Sequence, residues 1–109
     1  MERSAPRFPK VITLCGSTRF KEQFLQVQQA LTLQGIIVIS VGLFGHIDMP
    51  TVMDTDIKVA LDVLHKRKID LSDGIYVINV DGYIGASTRN EIAYAISTGK
   101  EVSYLVPIS

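Results

Sequence analysis

Short apolar runs alternate with amphipathic segments along the chain. Four runs rich in β-branched residues predict strands at 11–15, 36–41, 75–80 and 102–106. Between these runs, apolar residues recur every three or four positions, which predicts three helices. The expected helix starts are near Phe20, at Asp54 or Thr55, and at Ser87 or Thr88, and the first and third helices are expected to end at Gly35 and Gly99.

This alternation of strands and helices predicts an α/β fold. Strands joined through helices pair in parallel by right-handed crossovers, and the run 36–41 is apolar enough to be buried on both faces. We expect one three-layer domain over residues 1–109, Rossmann- or flavodoxin-like, with a flexible stretch at 1–9. Its parallel sheet is expected to have four or five strands in the order 2-1-3-4. Ligands of such sheets bind outside the carboxyl ends of the strands, near the switch point.

Composition narrows the class of protein. The 109 residues are 47% hydrophobic, and 11 basic residues balance 11 acidic ones, so the formal net charge is zero. A general nucleic-acid binder would show a basic excess. The single cysteine, Cys15, cannot form an internal disulfide and favours a reducing, cytoplasmic location. The N-terminus lacks the apolar stretch of a signal peptide, and the uncharged segment 23–47 carries five glutamines, so no membrane association is expected.

The loop after the first strand carries a candidate anion site. Gly16 allows close approach of the backbone to a ligand, and the start of a helix offers free N–H groups. Ser17 and Thr18 add hydroxyls, and Arg19 adds a planar fork that suits phosphate. The alternative is an ordinary capped helix with a surface arginine.

Glu91 is the candidate catalytic residue. It ends a segment, 88–91, that fits a capping box, in which the glutamate only accepts a backbone hydrogen bond. Alternatively, it lies in the first turn of the third helix, where the helix dipole helps to keep it ionised. A carboxylate facing the cleft there is a candidate nucleophile at a sugar carbon.

Two further segments have a functional and a structural interpretation. Tyr83 and Gly85 lie in the loop after the third strand, where they either contact a ligand ring or serve turn geometry. His65 begins a basic cluster, 65–68, that suits a helix C-terminus, although this histidine can also turn towards the site.

We expect neither a metal nor a cofactor. Cys15 is interpreted as a small core residue, and nothing in the sequence supports its pairing with His65 or His46. Four side chains superficially suggest a metal site without any known ligand spacing, namely His46, Asp48, Asp54 and Asp56.

Three segments together resemble the nucleoside 2-deoxyribosyltransferase-like superfamily, which includes the deoxynucleoside 5′-monophosphate N-glycosidases. More narrowly, the chain is similar to small bacterial and phage members of that group. The resemblance covers about 11–105. The segments are LCGSTR at 14–19, IDLSDGIYVI at 69–78, and YIGASTRNEIAYA at 83–95 with TGK at 98–100.

The resemblance implies a role for particular residues. Gly16, Ser17 and Arg19 match the loop that holds the 5′-phosphate in the monophosphate glycosidases. Glu91 matches the nucleophile that attacks the anomeric carbon, and Ser87 lies where a second phosphate-contacting serine is found. In the family, water or another base then releases the covalent glycosyl-enzyme. The expected partner is a small nucleoside or nucleotide, and a homodimer is expected because the family commonly builds its sites at dimer interfaces.

Two departures from the family keep more than one function open. Thr13 stands where the family usually has a tyrosine, and His65 stands where it has an aspartate, eight residues before Asp73. His65 or Asp73 is therefore expected as an auxiliary acid. The leading hypothesis is an enzyme that cleaves or transfers an N-glycosidic bond. The alternatives are a nucleotide-binding module without catalysis and a TIR-like nicotinamide-dinucleotide glycohydrolase.

Overall fold

A computed structural model describes residues 9–42 and 55–108, except for the side chain of Thr55. The expected flexible stretch before residue 9, and His46, Asp48 and Asp54, lie outside the described residues. The helices and strands follow in the order β1 (Val11–Gly16), α1 (Lys21–Leu33), β2 (Ile37–Ile39), α2 (Thr55–Asp70), β3 (Gly74–Ile78), α3 (Ala86–Ser97) and β4 (Glu101–Tyr104).

The four strands form one parallel sheet in the order β2-β1-β3-β4, as predicted. In the central strand, Thr13 pairs with Ile39 of β2 on one side and with Ile75 of β3 on the other. Reversal of the strand order at β1 and β3 opens a crevice at their carboxyl ends.

Alternate residues of the central strands pack on opposite faces of the sheet. Leu14 packs with Phe24 of α1 in one buried cluster. Its neighbour Cys15 belongs to a second cluster with Ile69 of α2 and Ala95 of α3. The sheet therefore separates α1 from α2 and α3, which gives the three layers that the sequence predicts.

The strand β2 differs from its prediction. It is shorter than the run 36–41 and lies at the edge of the sheet, where, among the described residues, it pairs only with β1. Ile37 is 44% exposed, so this strand is not buried on both faces. An apolar run predicts a buried strand, but the actual burial also depends on how many other elements of the fold pack against that strand.

The start of α3 also differs. The helix begins at Ala86, and Gly85 occupies the N-cap position with extended backbone. The capping box at 88–91 is therefore wrong, because Thr88 already lies inside the helix and is buried. Glu91 consequently lies in the second turn rather than in the first.

Side-chain bonds fix the C-terminal part of α2 on the sheet. The buried hydroxyl of Thr13 donates to the carbonyl of Lys68 at 3.1 Å, and Lys68 Nζ donates to the carbonyl of Ser40 at 3.0 Å. Arg67 pairs with Asp70 at 2.8 Å, as expected for a cation near a helix C-terminus. The bonds of Thr13 and Lys68 hold the face of α2 that carries His65 against the sheet, whereas the Arg67–Asp70 pair lies within α2. Among the described residues, none of the helices has the length and apolar character that a membrane crossing requires.

Candidate functional site

A cavity of about 480 Å³ lies at the carboxyl ends of β1 and β3. Its volume falls in the range of small-molecule sites in proteins. Three parts of the fold supply most of its wall: the loop after β1, the inward face of α2, and the start of α3 with the loop before it. These parts contribute Gly16, Ser17 and Thr18; Leu61, Asp62, Leu64, His65 and Lys68; and Tyr83, Gly85, Ala86, Ser87, Thr88 and Glu91.

Gly16 lines the cavity at the end of β1 and packs closely against β3. Its φ angle is +152°, and a Cβ atom at this position would lie 2.8 Å from the carbonyl oxygen of Ile78. Only glycine fits so close to the neighbouring strand. The chain then turns at Ser17, whose Oγ accepts hydrogen bonds from the backbone N–H of Arg19 at 3.4 Å and from its Nε at 3.3 Å.

Three functional side chains from three different elements meet at the inner wall. Cys15 is the penultimate residue of β1, His65 lies on α2 and Glu91 lies on α3. His65 Nε2 is 3.3 Å from Cys15 Sγ and 3.7 Å from Glu91 Oε1. Cys15 is fully buried, and the side chains of His65 and Glu91 are 11% and 16% exposed.

Burial controls the protonation of this cluster. It raises the pKa of Glu91 to about 7, against the smaller lowering effect of the hydrogen bond from the Cys15 thiol. Burial also lowers the pKa of His65 to about 4, with the charge of Lys68 acting in the same direction. The pKa of Cys15 is raised well above its ordinary value, first by burial and then by the Glu91 charge and hydrogen bond. At neutral pH the thiol is protonated, the imidazole is neutral, and Glu91 is about half ionised.

The expectation that the helix dipole keeps Glu91 ionised is therefore wrong. Dipole effects fall off within the first turn of a helix, whereas Glu91 lies in the second turn and is mostly buried. The loss of hydration on burial is the larger effect.

The start of α3 is the best candidate for binding an anion. Gly85, Ala86, Ser87 and Thr88 all line the cavity. The first helical hydrogen bond of α3 runs from the N–H of Arg89 to the carbonyl of Gly85, so the N–H groups before Arg89 precede the helical ladder. Such groups, together with the helix dipole, favour negative charge.

Most residues singled out from the sequence meet at this cavity. Arg19 lies outside its lining, and its exposed guanidinium stacks 4.2 Å from the centre of the Tyr83 ring. It is therefore a residue of the cavity rim. The lining residues that the sequence predicts are Gly16, Ser17, Thr18, His65, Tyr83, Gly85, Ser87 and Glu91.

Asp73 lies elsewhere. It directly precedes β3, at the amino end of the sheet, and its Oδ2 accepts a hydrogen bond of 2.8 Å from the N–H of Val11. The role of auxiliary acid predicted for Asp73 is therefore wrong, because the cavity opens at the carboxyl ends of the strands.

The sequence interpretation missed Cys15 and the face of α2. Cys15 was assigned to the core, yet its sulfur also contacts His65. Leu61, His65 and Lys68 are spaced as residues on one face of a helix. This spacing was the signal in the sequence that α2 presents more than one side chain to the site. Thr13 holds α2 through its buried hydroxyl.

Fold and site together define a parallel α/β protein with a small-molecule cavity at the switch point of its sheet. Comparisons of the chain with protein-family models, with curated proteins and with solved structures find no match.

Proposed function

We propose that the protein cleaves or transfers the N-glycosidic bond of a nucleoside or nucleoside 5′-monophosphate, with Glu91 as the nucleophile. The observation that carries this proposal is the position of the Glu91 carboxyl in the cavity wall, one helical turn beyond the anion-favouring start of α3. The resemblance of the segments 14–19 and 83–95 to the deoxyribosyltransferase-like superfamily supports the same assignment.

The cavity wall suggests how such a ligand binds. A 5′-phosphate fits between the hydroxyls of Ser17 and Thr18 and the N–H groups of Ser87 and its neighbours. The sugar then lies over Glu91. The apolar side chains of Leu61 and Leu64 and the ring of Tyr83 remain for the base, since aromatic and aliphatic groups cover a planar ring well.

The reaction runs in two steps. A Glu91 oxygen forms a bond to the anomeric carbon as the bond from that carbon to the base breaks, and the electron pair leaves with the base, which takes a proton from water. Water or a second base then attacks the same carbon, and the Glu91 carboxylate is released. Neutral His65 is a weak proton donor, and the absence of general-acid help slows such a step by about 10²–10⁴-fold.

A mass-spectrometric assay tests the proposal. Metal-free protein is incubated with nucleosides, 5′-monophosphates and nicotinamide dinucleotide, and free base and a glycosyl adduct are measured. We expect both products with the wild type and neither with Glu91→Gln, which should still bind the ligand. Glu22→Gln, an exposed change on α1 across the sheet, serves as the matched control. Undiminished base release by Glu91→Gln would refute the role of Glu91.

One observation favours a second candidate, a nucleotide-binding module without catalysis. Asp73 lies at the amino end of the strands, opposite to the cavity, and His65 is neutral at pH 7. Neither residue therefore supplies a strong acid to protonate the departing base. This alternative predicts saturable binding in calorimetry, with no free base and no adduct after long incubation.

We also propose that the protein forms a homodimer through α2. Three large apolar side chains that share one face of this helix are between 36% and 52% exposed: Ile57, Leu61 and Leu64. Leu61 and Leu64 also line the cavity. A second copy packed there would both bury this apolar surface and cover the open side of the site.

A further inference from the structure

We infer that Cys15, His65 and Glu91 form a binding site for Zn²⁺ at the inner wall of the cavity. This inference goes beyond the proposed glycosidic chemistry and does not depend on it. It revises the expectation that the protein binds no metal, which rested on ligand spacing along the sequence.

The distances fit a tetrahedral ion. In a zinc site with bonds of about 2.0–2.3 Å, ligand atoms lie roughly 3.3–3.8 Å apart. His65 Nε2 lies 3.3 Å from Cys15 Sγ and 3.7 Å from Glu91 Oε1, and all three ligand atoms lie within 4.8 Å of one another. One ion therefore reaches all three atoms with small side-chain adjustments.

The arrangement differs from a nucleophilic relay. In a cysteine–histidine–acid relay, the thiol contacts one nitrogen of the imidazole and the acid contacts the other. Here Cys15 Sγ and Glu91 Oε1 both approach the same atom, His65 Nε2. Three donor atoms that converge on one point are the geometry of a metal site.

The chemical types of the three ligand atoms favour zinc over magnesium and calcium. Magnesium and calcium prefer oxygen ligands, whereas a thiolate, an imidazole and a carboxylate together suit zinc. A thiolate, a neutral imidazole and a carboxylate balance the two charges of Zn²⁺, which favours its burial. When zinc binds, the Cys15 thiol gives its proton to solvent and a Zn–S bond forms.

The fourth position faces the cavity. His65 and Glu91 both belong to the cavity lining, while Cys15 lies behind them at the end of β1. Three protein ligands and one open position resemble the composition of a catalytic rather than a structural zinc site. A bound ion also occupies the Glu91 carboxyl, so zinc should inhibit any reaction that uses Glu91 as a nucleophile.

Metal titration tests the inference directly. Metal-free protein is titrated with Zn²⁺ against a chromophoric chelator, and we expect one ion per chain. Changing a direct ligand, as in Cys15→Ser, His65→Gln or Glu91→Gln, should weaken the affinity at least about 100-fold, beyond the loss typical of outer-shell partners. Glu22→Gln should bind zinc like the wild type. Circular dichroism confirms that each variant is folded.

Cobalt substitution provides a test that needs no variant. Co²⁺ bound to wild-type protein should show thiolate-to-cobalt charge-transfer absorption, which zinc abolishes by displacement. Absence of this absorption, or wild-type zinc affinity in Cys15→Ser, would overturn the site. That failure would leave base release by metal-free protein untouched. Conversely, zinc binding without any base release by metal-free protein would overturn the proposed function but support the metal site.

Discussion

The opposite pKa shifts of Glu91 and His65 predict how the stability of the metal-free protein depends on pH. Glu91 ionises at about 7 in the folded chain instead of 4.5, because burial disfavours its charge. The folded state therefore binds more protons than the unfolded state between these values. The contribution of Glu91 to the free energy of unfolding is fully present below 4.5 and is lost as the pH rises to about 7.

His65 acts in the opposite direction. Its pKa falls from 6.5 to about 4 on folding, so its contribution is present above 6.5 and is lost as the pH falls to about 4. At about 1.4 kcal/mol for each pKa unit, each group changes the free energy of unfolding by about 3 kcal/mol across its window. In the wild type the two trends oppose each other over the pH range that they share.

Glu91→Gln separates the two trends. Urea unfolding is measured with a chelator present, for the wild type and the variant, and the difference in unfolding free energy is followed with pH. The free energy of unfolding of Glu91→Gln, relative to that of the wild type, should rise by about 3 kcal/mol between about pH 4.5 and pH 8. His65→Gln should lose a similar amount relative to the wild type over the overlapping range from about pH 4 to pH 6.5, because the wild type gains stability there as His65 deprotonates.

Glu22→Gln is the matched control for the loss of a carboxyl, because Glu22 is exposed on α1, across the sheet from the cluster. The same difference between Glu91→Gln and the wild type at about pH 5 and about pH 8 would show that Glu91 titrates normally, and the account of its burial would be wrong.

The structure makes three further predictions. Cys15→Ala removes the hydrogen bond that lowers the pKa of Glu91, so the rising limb of base release with pH should move to higher pH, while Cys15→Ser, which keeps a donor, should move it less; identical pH profiles would contradict this. Gly16→Ala places a Cβ atom 2.8 Å from the carbonyl oxygen of Ile78 and should cost about 1–3 kcal/mol in thermal or urea unfolding, whereas Gly42→Ala, with no atom of the described residues within 4 Å of the added Cβ, should cost less. Ile57→Glu places a charge on the exposed apolar face of α2 and should shift the protein from dimer to monomer in analytical ultracentrifugation, with Glu22→Gln unchanged; a wild type that is already monomeric would refute the dimer.

The sequence by itself determined the layers of the fold. Strand runs and helical spacing predict the alternation, and parallel crossovers with the expected strand order place the site at the ends of β1 and β3. The residues that follow these strands, such as Gly16 and Tyr83, were therefore predicted at the site from their positions alone. Position along the chain was sufficient here, because every loop that follows a strand of a parallel sheet lies at the same end of the sheet, the carboxyl end of its strands.

Local sequence was misleading where tertiary neighbours decide the outcome. The run 36–41 has the composition of a strand buried on both faces, yet Ile37 of β2 is 44% exposed. Asp73 was a candidate auxiliary residue, but it lies at the amino end of β3, away from the cavity. How far other elements cover a strand, and which side chains reach the cavity, are not properties of a short window of sequence.

The cluster of Cys15, His65 and Glu91 was decided by tertiary structure alone. Cys15 and His65 are 50 positions apart in the sequence, and the three residues belong to three different elements. Only the packing of α2 and α3 on the same face of the sheet brings their polar atoms within 4.8 Å. The same packing removes water from around them, so burial raises the pKa of Glu91 and lowers the pKa of His65.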